Sequence, residues 1–382
     1  MAEIEMYSQV SSLDDILRQY SAFTRGIMTG VGPMKGKDSI KMKFPFPGIM
    51  SLKGEVVNQS VKVARETLAI TKRDVVAKIR KKYWNLLFIQ KALKITEETA
   101  GLLKRLESAA TTRYKAGRNS YQDVIKVRIR YSTLLEDIVT FQQKRRNIET
   151  EILEILDLDP TIHLETPNEI KPDQNRPNQD FLYKKALENR QELRRLRARI
   201  SKMERMIEMA ETMILPPFTL NFSLYEDEAV MKTGSTAMKA SFPESVKSYK
   251  GSGLPKMPWY GTDDAYIRQT KHNLLALRED LKRAEAKTSI LVRNAWFNMD
   301  KALREFKLFE NTIVTLSRSA LEVSTRGYEA GRVSFADVIG SHTNWLTASL
   351  SLSMKQRDIG VAWAELERVV GTTVNSQERG VK

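Results

Sequence analysis

A twelve-residue segment occurs twice in the 382-residue chain, and this duplication limits the possible folds more than any other feature. The copies span residues 114–125 and 328–339, so they lie 214 positions apart (328 − 114). Eight residue types recur at matching places, and in the first copy they are Tyr114, Ala116, Gly117, Arg118, Ser120, Asp123, Val124 and Ile125. The chain therefore contains an internal duplication.

Each copy has the residues of a tight turn between two helices. Gly117 and Gly331 follow long helical patterns, where glycine suits the left-handed residue that ends a helix. A serine followed three residues later by an acidic residue is a signature that begins a helix. These pairs are Ser120 with Asp123 and Ser334 with Asp337. A role in ending or beginning a helix is enough to explain each of these residues alone. It does not explain why positions that point outward are also identical in the two copies.

Composition and charge narrow the class of protein. The net charge of +15 favours nucleic acid or an anionic membrane surface as partner, but Lys and Arg are interspersed with Glu and Asp, as on solvated helix faces. The chain has no cysteine, which excludes thiol catalysis, cysteine-ligated zinc and disulfides. No segment reaches the roughly 18 uncharged apolar residues of a membrane-spanning helix. Residues 1–30 lack the apolar stretch of a secretory signal.

Long helices are predicted before both turns. The pattern is helical and free of proline from Gly54 to Tyr114, a helix on the order of 90 Å long, which needs partners along its length. We expect its buried stripe at Leu68, Val75, Ile79, Leu86, Ile89 and Leu93. A helix from Asp263 to Gly327 mirrors the first, but its offset from it is 213, one residue less than the offset of the turns.

The segments after the turns carry heptad repeats. In the first copy the two series are Val124, Tyr131, Ile138, Arg145 and Ile152, and Val127, Leu134, Phe141, Ile148 and Ile155. In the second copy they are Val338, Trp345, Leu352, Ile359 and Leu366, and Ser341, Ala348, Lys355, Ala362 and Val369. These a/d seams predict that the helix after each turn packs back along the preceding helix as an antiparallel coiled coil.

Two short stretches alternate apolar and polar residues with the period of a β-strand. They are residues 40–46 and residues 218–225, and the second follows Pro216 and Pro217, which end a helix predicted over 181–214. Uncharged polar partners from Phe218 to Tyr225 fit a strand that faces lipid on one side and water on the other. For that stretch alone, a sandwich strand with one solvated face is the simpler interpretation.

Two copies of helix, Tyr-x-Ala-Gly-Arg turn and helix, each after a short alternating stretch, make the chain resemble the TolC-like outer membrane efflux protein family over roughly residues 40–371. The resemblance implies a mainly α fold of long antiparallel coiled-coil hairpins, an α-barrel protomer, with short β-strand pairs contributing to a transmembrane β-barrel. It implies a passive exit duct for efflux or type I secretion, located in the outer membrane with a periplasmic extension. It also implies a homotrimer that works with a periplasmic adaptor (membrane fusion) protein, an inner-membrane pump and outer membrane lipid.

The resemblance assigns roles to residues of the two turns. It places at the adaptor-contacting tips Gly117, Arg118, Gly331 and Arg332. It implies that Asp123 and Tyr328 hold a closed gate, and that Asp337 forms an acidic ring in the lumen. The sequence departs from the family pattern at two positions, because Gly340 stands in place of a second lumen acid and Val333 in place of a basic residue of the closed gate.

We expect two repeats and a tail. The first repeat covers residues 1–160, with a strand region at 21–53 and a helical hairpin at 54–157, and its initial helix is largely missing. The second covers residues 161–371, with a helix at 181–214, a strand region at 215–262 and a hairpin at 263–371; residues 372–382 form a C-terminal tail. The missing helix and the missing signal predict an N-terminus that is either truncated or wrongly assigned.

No catalytic, cofactor or metal site is expected. His163, His272 and His342 lie in no metal-ligand spacing, so we expect each at the surface or at a helix end. The alternative function is a soluble basic coiled-coil scaffold that binds nucleic acid or an anionic surface through Lys184, Lys185, Arg194, Arg195, Arg197 and Arg199. A soluble scaffold has no need for the alternation at residues 218–225, so we favour the duct and expect no nucleic acid partner.

Overall fold

The chain is mainly helical in a computed structural model. The structure describes residues 4, 6, 39–44, 49–117, 120–164, 174–213, 218–223, 248–249 and 260–374. These residues group into two compact units, one formed by residues 1–68 with 194–283 and the other by residues 69–193 with 284–382. Each unit takes segments from both expected repeats, so the repeat boundaries stay a prediction.

The first helical hairpin consists of α1 (Ile49–Lys115) and α2 (Tyr121–Leu156). Helix α1 begins five residues before the predicted start (54 − 49). Two ion pairs join the helices, Glu107 with Arg128 at 2.6 Å and Glu151 with Lys82. The residue numbers of these pairs sum to 235 (107 + 128) and 233 (82 + 151). A nearly constant sum is the mark of antiparallel pairing, so the predicted hairpin is confirmed.

The segment predicted as one helix over 181–214 forms two helices, α3 (Gln179–Asn189) and α4 (Gln191–Met213). The single helix was therefore wrong at Arg190, whose backbone is extended (φ −63°, ψ 120°). Buried Arg190 donates to the Val369 carbonyl at 3.1 Å and pairs with Glu192. Burial raises the pKa of Glu192, but hydrogen bonds from Arg73 and the charge of Arg190 oppose this effect, and the pKa falls to about 2.

The second long helical segment is interrupted by one π-helical turn. It consists of α5 (Tyr260–Leu308), the π turn (Phe309–Ile313) and α6 (Val314–Glu329), and α7 (Phe335–Val370) follows the second copy of the duplicated turn. A π turn takes one more residue than an α-helical turn. Before the π turn, residues of the second copy are numbered 213 higher than their equivalents in the first copy, and after it they are numbered 214 higher. The extra residue of the second copy is therefore accommodated in the π turn.

Three short strands form one antiparallel sheet in the order β1 (Ser39–Phe44), β2 (Phe218–Ser223) and β3 (Ser248–Tyr249). Strand β1 pairs with β2 in the register Ser39 opposite Ser223 and Phe44 opposite Phe218. The two predicted strands are thus confirmed. Residues 45–46 and 224–225 of the predicted stretches lie outside the described residues.

The seams after both turns are confirmed, because none of their twenty positions is exposed. The stripe predicted for α1 is wrong in its first part, where Leu68 is 55% exposed and Val75 is 38% exposed. Near these residues the covered face of α1 is the opposite one, which carries Arg73 and Ala77. The reason is that the guanidinium of Arg73 turns this face towards Glu192, to which it donates two hydrogen bonds of 2.7 Å.

Helices α1 and α7 approach closely at Gly360. A Cβ atom at Gly360 would overlap the indole ring of Trp84. Nearby, Lys91 donates to Gln356 at 2.7 Å, and Arg357 lies 5.1 Å from the ring centroid of Phe88. The glycine therefore lets the two helices pack with an aromatic ring between them.

We predict that Gly360→Ala destabilises the protein by about 1–3 kcal/mol, because the indole must move out of a packed position. Gly340→Ala is the matched control on the same helix, since no atom lies within 4 Å of its added Cβ. There, alanine should stabilise the helix by about 0.5–1 kcal/mol. Thermal unfolding followed by far-ultraviolet circular dichroism measures both changes, and an equal shift for the two variants would contradict the proposed contact.

His342 of α7 is buried, so its expected place at the surface or a helix end is wrong. Its Nε2 has no hydrogen-bond partner in the described part of the structure, and its ring packs on Trp345 with 6.2 Å between the centroids. Burial and, to a smaller extent, the nearby charge of Arg130 together lower its pKa from 6.5 to about 4. His342 is therefore held neutral inside the core. The other two histidines, His163 and His272, are exposed as expected.

We predict that His342 lowers stability as the pH falls. Because its folded pKa lies below its unfolded value, the unfolded chain binds the extra proton between pH 6.5 and about 4, and stability falls over that window. Relative to His342→Leu, the wild-type protein should lose up to about 3 kcal/mol there. Unfolding curves collected across this pH range test the difference, and parallel pH profiles for both proteins would contradict it.

Candidate functional site: the paired tip turns

The two duplicated turns match in the backbone conformation of their glycines and N-cap serines. We call residues 113–123 turn 1 and residues 327–337 turn 2. Gly117 and Gly331 adopt left-handed conformations, with φ of 68° and 72°. Their N–H groups donate to the carbonyls of Tyr114 and Tyr328 at 2.9 and 3.0 Å. The predicted helix, tight reversal and helix are therefore confirmed at both places, and most side chains other than asparagine would be strained at either glycine.

The predicted N-caps are also present. Ser120 accepts a hydrogen bond from the N–H of Gln122 at 3.2 Å and caps α2. Ser334 accepts from the N–H of Asp337 at 3.2 Å and donates its hydroxyl to the carboxylate of Asp337 at 2.7 Å. Asp337 is exposed and closes a capping interaction with Ser334. Asp123, in contrast, lies half-buried in the first turn of α2.

An aromatic pair bridges each turn, and the two pairs differ sharply in burial. The rings of Tyr114 and Tyr121 lie 5.1 Å apart in turn 1, and those of Tyr328 and Phe335 lie 5.2 Å apart in turn 2. The pair in turn 1 is 44% and 49% exposed, whereas the pair in turn 2 is 6% and 3% exposed. Equivalent rings thus form part of the surface in one copy and part of the core in the other.

A single core joins the two hairpins below the turns. It contains residues of α1, α2, α6 and α7, namely Ala100, Leu103, Ala110, Val124, Val127, Leu134, Tyr328, Phe335, Val338 and Leu346. Aromatic rings and branched side chains dominate this cluster, so it excludes water from the helix contacts. Both turns are consequently held by one packed body.

Arg113 contacts turn 2 directly, although it belongs to turn 1. Its Nη1 donates to the carbonyl of Tyr328 at 2.8 Å, and its Nη2 donates to that of Glu329 at 3.0 Å. Its guanidinium carbon also lies 4.4 Å from the ring centroid of Tyr328. Sequence reasoning missed this residue. The available signal was that the repeat places Gly327 opposite it (113 + 214), a mismatch beside eight matching positions.

The remaining predicted site residues have the following positions. Arg332 is exposed, and its backbone N–H donates to the Gly327 carbonyl at 2.8 Å. Val333 folds back onto Gly327, where a Cβ atom would lie 2.5 Å from Val333 Cγ2. Arg118 lies outside the described residues. The Tyr328 ring lies close to Arg113 and Phe335, and the gate roles of Asp123, Tyr328 and Asp337 stay predictions.

The basic residues of the alternative scaffold function do not form one free surface. Arg194 pairs with Glu66 at 2.6 Å, and Lys185 lies 4.8 Å from the ring centroid of Phe181. Arg195 and Arg197 are half-buried, whereas Lys184 and Arg199 are exposed. Their charges are thus partly used within the chain, which weakens the case for a nucleic acid surface.

The described ranges of the chain contain neither a metal-ligand cluster nor a membrane-spanning helix. No three His, Asp or Glu side chains of these ranges come together as metal ligands would. No helix among the described residues combines the length and apolar character needed to cross a bilayer.

Comparison with known proteins gives relatives of one kind. The chain is 22% identical over 329 residues to outer membrane protein TolC of Vibrio cholerae, an alignment that covers 83% of this chain and 72% of that protein. The crystal structure of VceC from Vibrio cholerae superposes with a TM-score of 0.64 at 11% identity, covering 88% of this chain and 79% of that one. The open state of the Neisseria gonorrhoeae MtrE channel gives a TM-score of 0.64 at 14% identity, covering 97% and 86%.

The structural matches support the helical fold, since their low identities carry information on fold alone. A family-level match covers residues 182–372, half of the chain, and its description is outer membrane efflux protein. This segment includes α5, α6, α7 and turn 2. The chain therefore belongs to the outer membrane efflux protein family.

Proposed function

We propose that this chain is the passive outer membrane exit duct of a tripartite efflux or type I secretion system, and that three copies form the duct. Its relatives are outer membrane channels rather than enzymes. The observation that carries the proposal is the pair of tip turns, which stand at the ends of two long hairpins and share one core. In the proposed assembly, short strands such as β1 and β2 contribute to a transmembrane β-barrel, and the two repeats are structurally equivalent halves.

Two exposed apolar stripes support assembly from several copies. Stripe 1 lies on α2 and consists of Tyr121, Ile125, Ile129, Leu135 and Val139. Stripe 2 lies on α5 and α6 and consists of Ile290, Phe297, Leu308, Leu316 and Val323. Water-exposed stripes of this length are unfavourable in a monomer. Different surfaces on one chain that pair head to tail close into a ring, so stripe 1 of one copy is proposed to pack on stripe 2 of the next.

The π turn brings stripe 2 onto one helix face. Its residues are spaced by seven (297 − 290), eleven (308 − 297) and seven (323 − 316), which are spacings that keep one face of an α-helix. Across the π turn the spacing is eight (316 − 308), one more than a heptad. Because the π turn takes one additional residue, Leu316 and Val323 stay in line with Leu308.

We further propose the tip roles that the family resemblance implies. Gly117, Arg118, Gly331 and Arg332 contact a periplasmic adaptor, which links the duct to an inner-membrane pump. Asp123 and Tyr328 contribute to the closed gate, and Asp337 contributes to an acidic ring in the lumen. The exposed positions of Gly117, Gly331 and Arg332 support adaptor contact, and the exposed carboxylate of Asp337 supports a place facing solvent.

The assembly is tested by its mass and its conductance. Produced with an export signal and purified from outer membranes in detergent, the protein should have a mass three times the 43.8 kDa of one chain by light scattering. It should also form ion-conducting pores in planar lipid bilayers. A detergent-independent soluble dimer without conductance would overturn the proposal.

Ile129→Glu tests stripe 1 without disturbing the fold of a single chain, since Ile129 is 63% exposed. A charge buried between copies is costly, so this variant should dissociate into monomers. Gln142→Glu is the matched control, because it adds the same charge at another exposed position of α2. A trimer that persists in Ile129→Glu would remove stripe 1 from the interface.

The adaptor contact is tested by replacing the tip glycines with asparagine, which tolerates a left-handed backbone. In Gly117→Asn and Gly331→Asn the added side chain meets no atom within 4 Å of its Cβ, so the turn should keep its shape. We expect each variant to assemble normally and to lower dye efflux about tenfold, since a side chain at the centre of an interface blocks close approach. The measurement is dye accumulation in the source bacterium after replacement of its own gene copy. Gly101→Asn, also with open space around its Cβ but within α1, should leave efflux unchanged.

A further inference from the structure

Among the described residues of turn 1, Arg113 has a side chain that donates hydrogen bonds to turn 2. It is half-buried at the end of α1, and its two terminal nitrogens donate to the carbonyls of Tyr328 and Glu329 at 2.8 and 3.0 Å. The same guanidinium lies over the Tyr328 ring. One side chain therefore makes three contacts with the end of the opposite hairpin.

The guanidinium of Arg113 suits the carbonyl groups at the C-terminal end of α6. The last carbonyls of a helix have no intrahelical donor, and the C-terminal end of the helix carries partial negative charge. Helix α6 ends at Glu329, so both acceptors of Arg113 belong to this end. A guanidinium is planar, keeps its charge at all relevant pH values and presents a fork of donors, whereas an ammonium group offers a point charge. Arg113 thus caps α6 from a different hairpin.

Turn 2 has no arginine at the equivalent position that could make the same contact with turn 1. The residue equivalent to Arg113 is Gly327, which has no side chain. Turn 2 is closed on itself there, because the N–H groups of Arg332 and Val333 both donate to the Gly327 carbonyl, at 2.8 and 3.2 Å. Val333 covers the glycine and leaves no room for a Cβ. The two turns are therefore joined by a cation from turn 1 and backbone acceptors of turn 2.

We propose that Arg113 is the positioning residue that holds turn 2 against turn 1 when the tip is closed, and that its release accompanies opening. The inference rests on the proposed function, since it assigns a closed state to the tip. Separating α6 from α1 at the turns breaks all three contacts of Arg113 and moves Tyr328 away from the shared core, whereas the part of that core around Leu103, Leu134 and Leu346 can stay packed. Loss of Arg113 therefore shifts the tip towards open arrangements without unfolding the hairpins.

The first experiment measures the distance between the turns and requires no conduction. The chain has no cysteine, so Ala116→Cys and Ala330→Cys, at equivalent exposed positions, can carry spin labels without removing native thiols. Double electron–electron resonance is recorded on the full chain in detergent, with labelled copies diluted by unlabelled ones. With Arg113 present we expect one narrow distribution.

Three variants in this background test the role of the guanidinium. Arg113→Gln should broaden the distribution and shift it to longer distances, because it removes the charge and the fork. Arg113→Lys keeps the charge but loses the paired donors, so it should give an intermediate result. Arg105→Gln is the matched control, an exposed arginine of the same helix. Distributions for both Arg113 variants that match that of Arg105→Gln would overturn the proposal.

The second experiment connects the contact to gating. In planar bilayers Arg113→Gln should raise the open probability about tenfold over the wild-type protein, with Arg113→Lys between them and Arg105→Gln unchanged. A wild-type protein that forms no pore would refute the exit duct, while the distance measurement would still decide whether Arg113 holds the turns. Wild-type pores with unchanged gating in Arg113→Gln would refute the role of Arg113 and leave the duct intact.

Discussion

The structure depends on covering one narrow apolar stripe of each long helix with a neighbouring helix. A single helix of 67 residues such as α1 has no stability of its own in water, since most helical stability comes from packing an apolar face. One such contact is at Gly360, where the Trp84 ring fills the space that a side chain would occupy. Helices α1, α2, α5 and α6 carry further apolar side chains on their exposed faces. Packing within one chain therefore buries only part of the apolar surface of these helices.

The π turn shows how a one-residue change along the chain is reconciled with this requirement. An extra residue in a continuous α-helix rotates everything after it by about 100°. Without correction, Leu316 and Val323 would leave the face that carries Ile290 and Phe297. The π turn at Phe309–Ile313 absorbs the extra residue, so the exposed stripe continues along α6 as far as Val323. In the sequence, the extra residue is visible as the change of the offset between the two copies from 213 to 214.

Much of the fold could be predicted because its signals are local. A left-handed glycine and a serine cap are decided within a few residues, and both turns have them. The seams were also predictable, since a heptad repeat determines which face of a helix is covered. The errors concern distant partners. Leu68 and Val75 have an apolar pattern but are exposed, because Arg73 directs the opposite face of α1 to Glu192.

Arg113 was not predicted as a site residue for the same reason, because its partners are distant in the sequence. The acceptors of Arg113 are backbone carbonyls 215 and 216 positions away, and a carbonyl is present at every residue, so no residue type marks the partner. Only the comparison of the two copies gives a signal, because an arginine faces a glycine there. This one difference accompanies the largest contrast between the turns. The aromatic pair beneath Arg113 is buried, whereas the equivalent pair, Tyr114 with Tyr121, is exposed. The duplicated turns therefore share the conformations of their glycines and N-cap serines, but the aromatic pair of turn 2 is covered by its own chain whereas the pair of turn 1 is exposed.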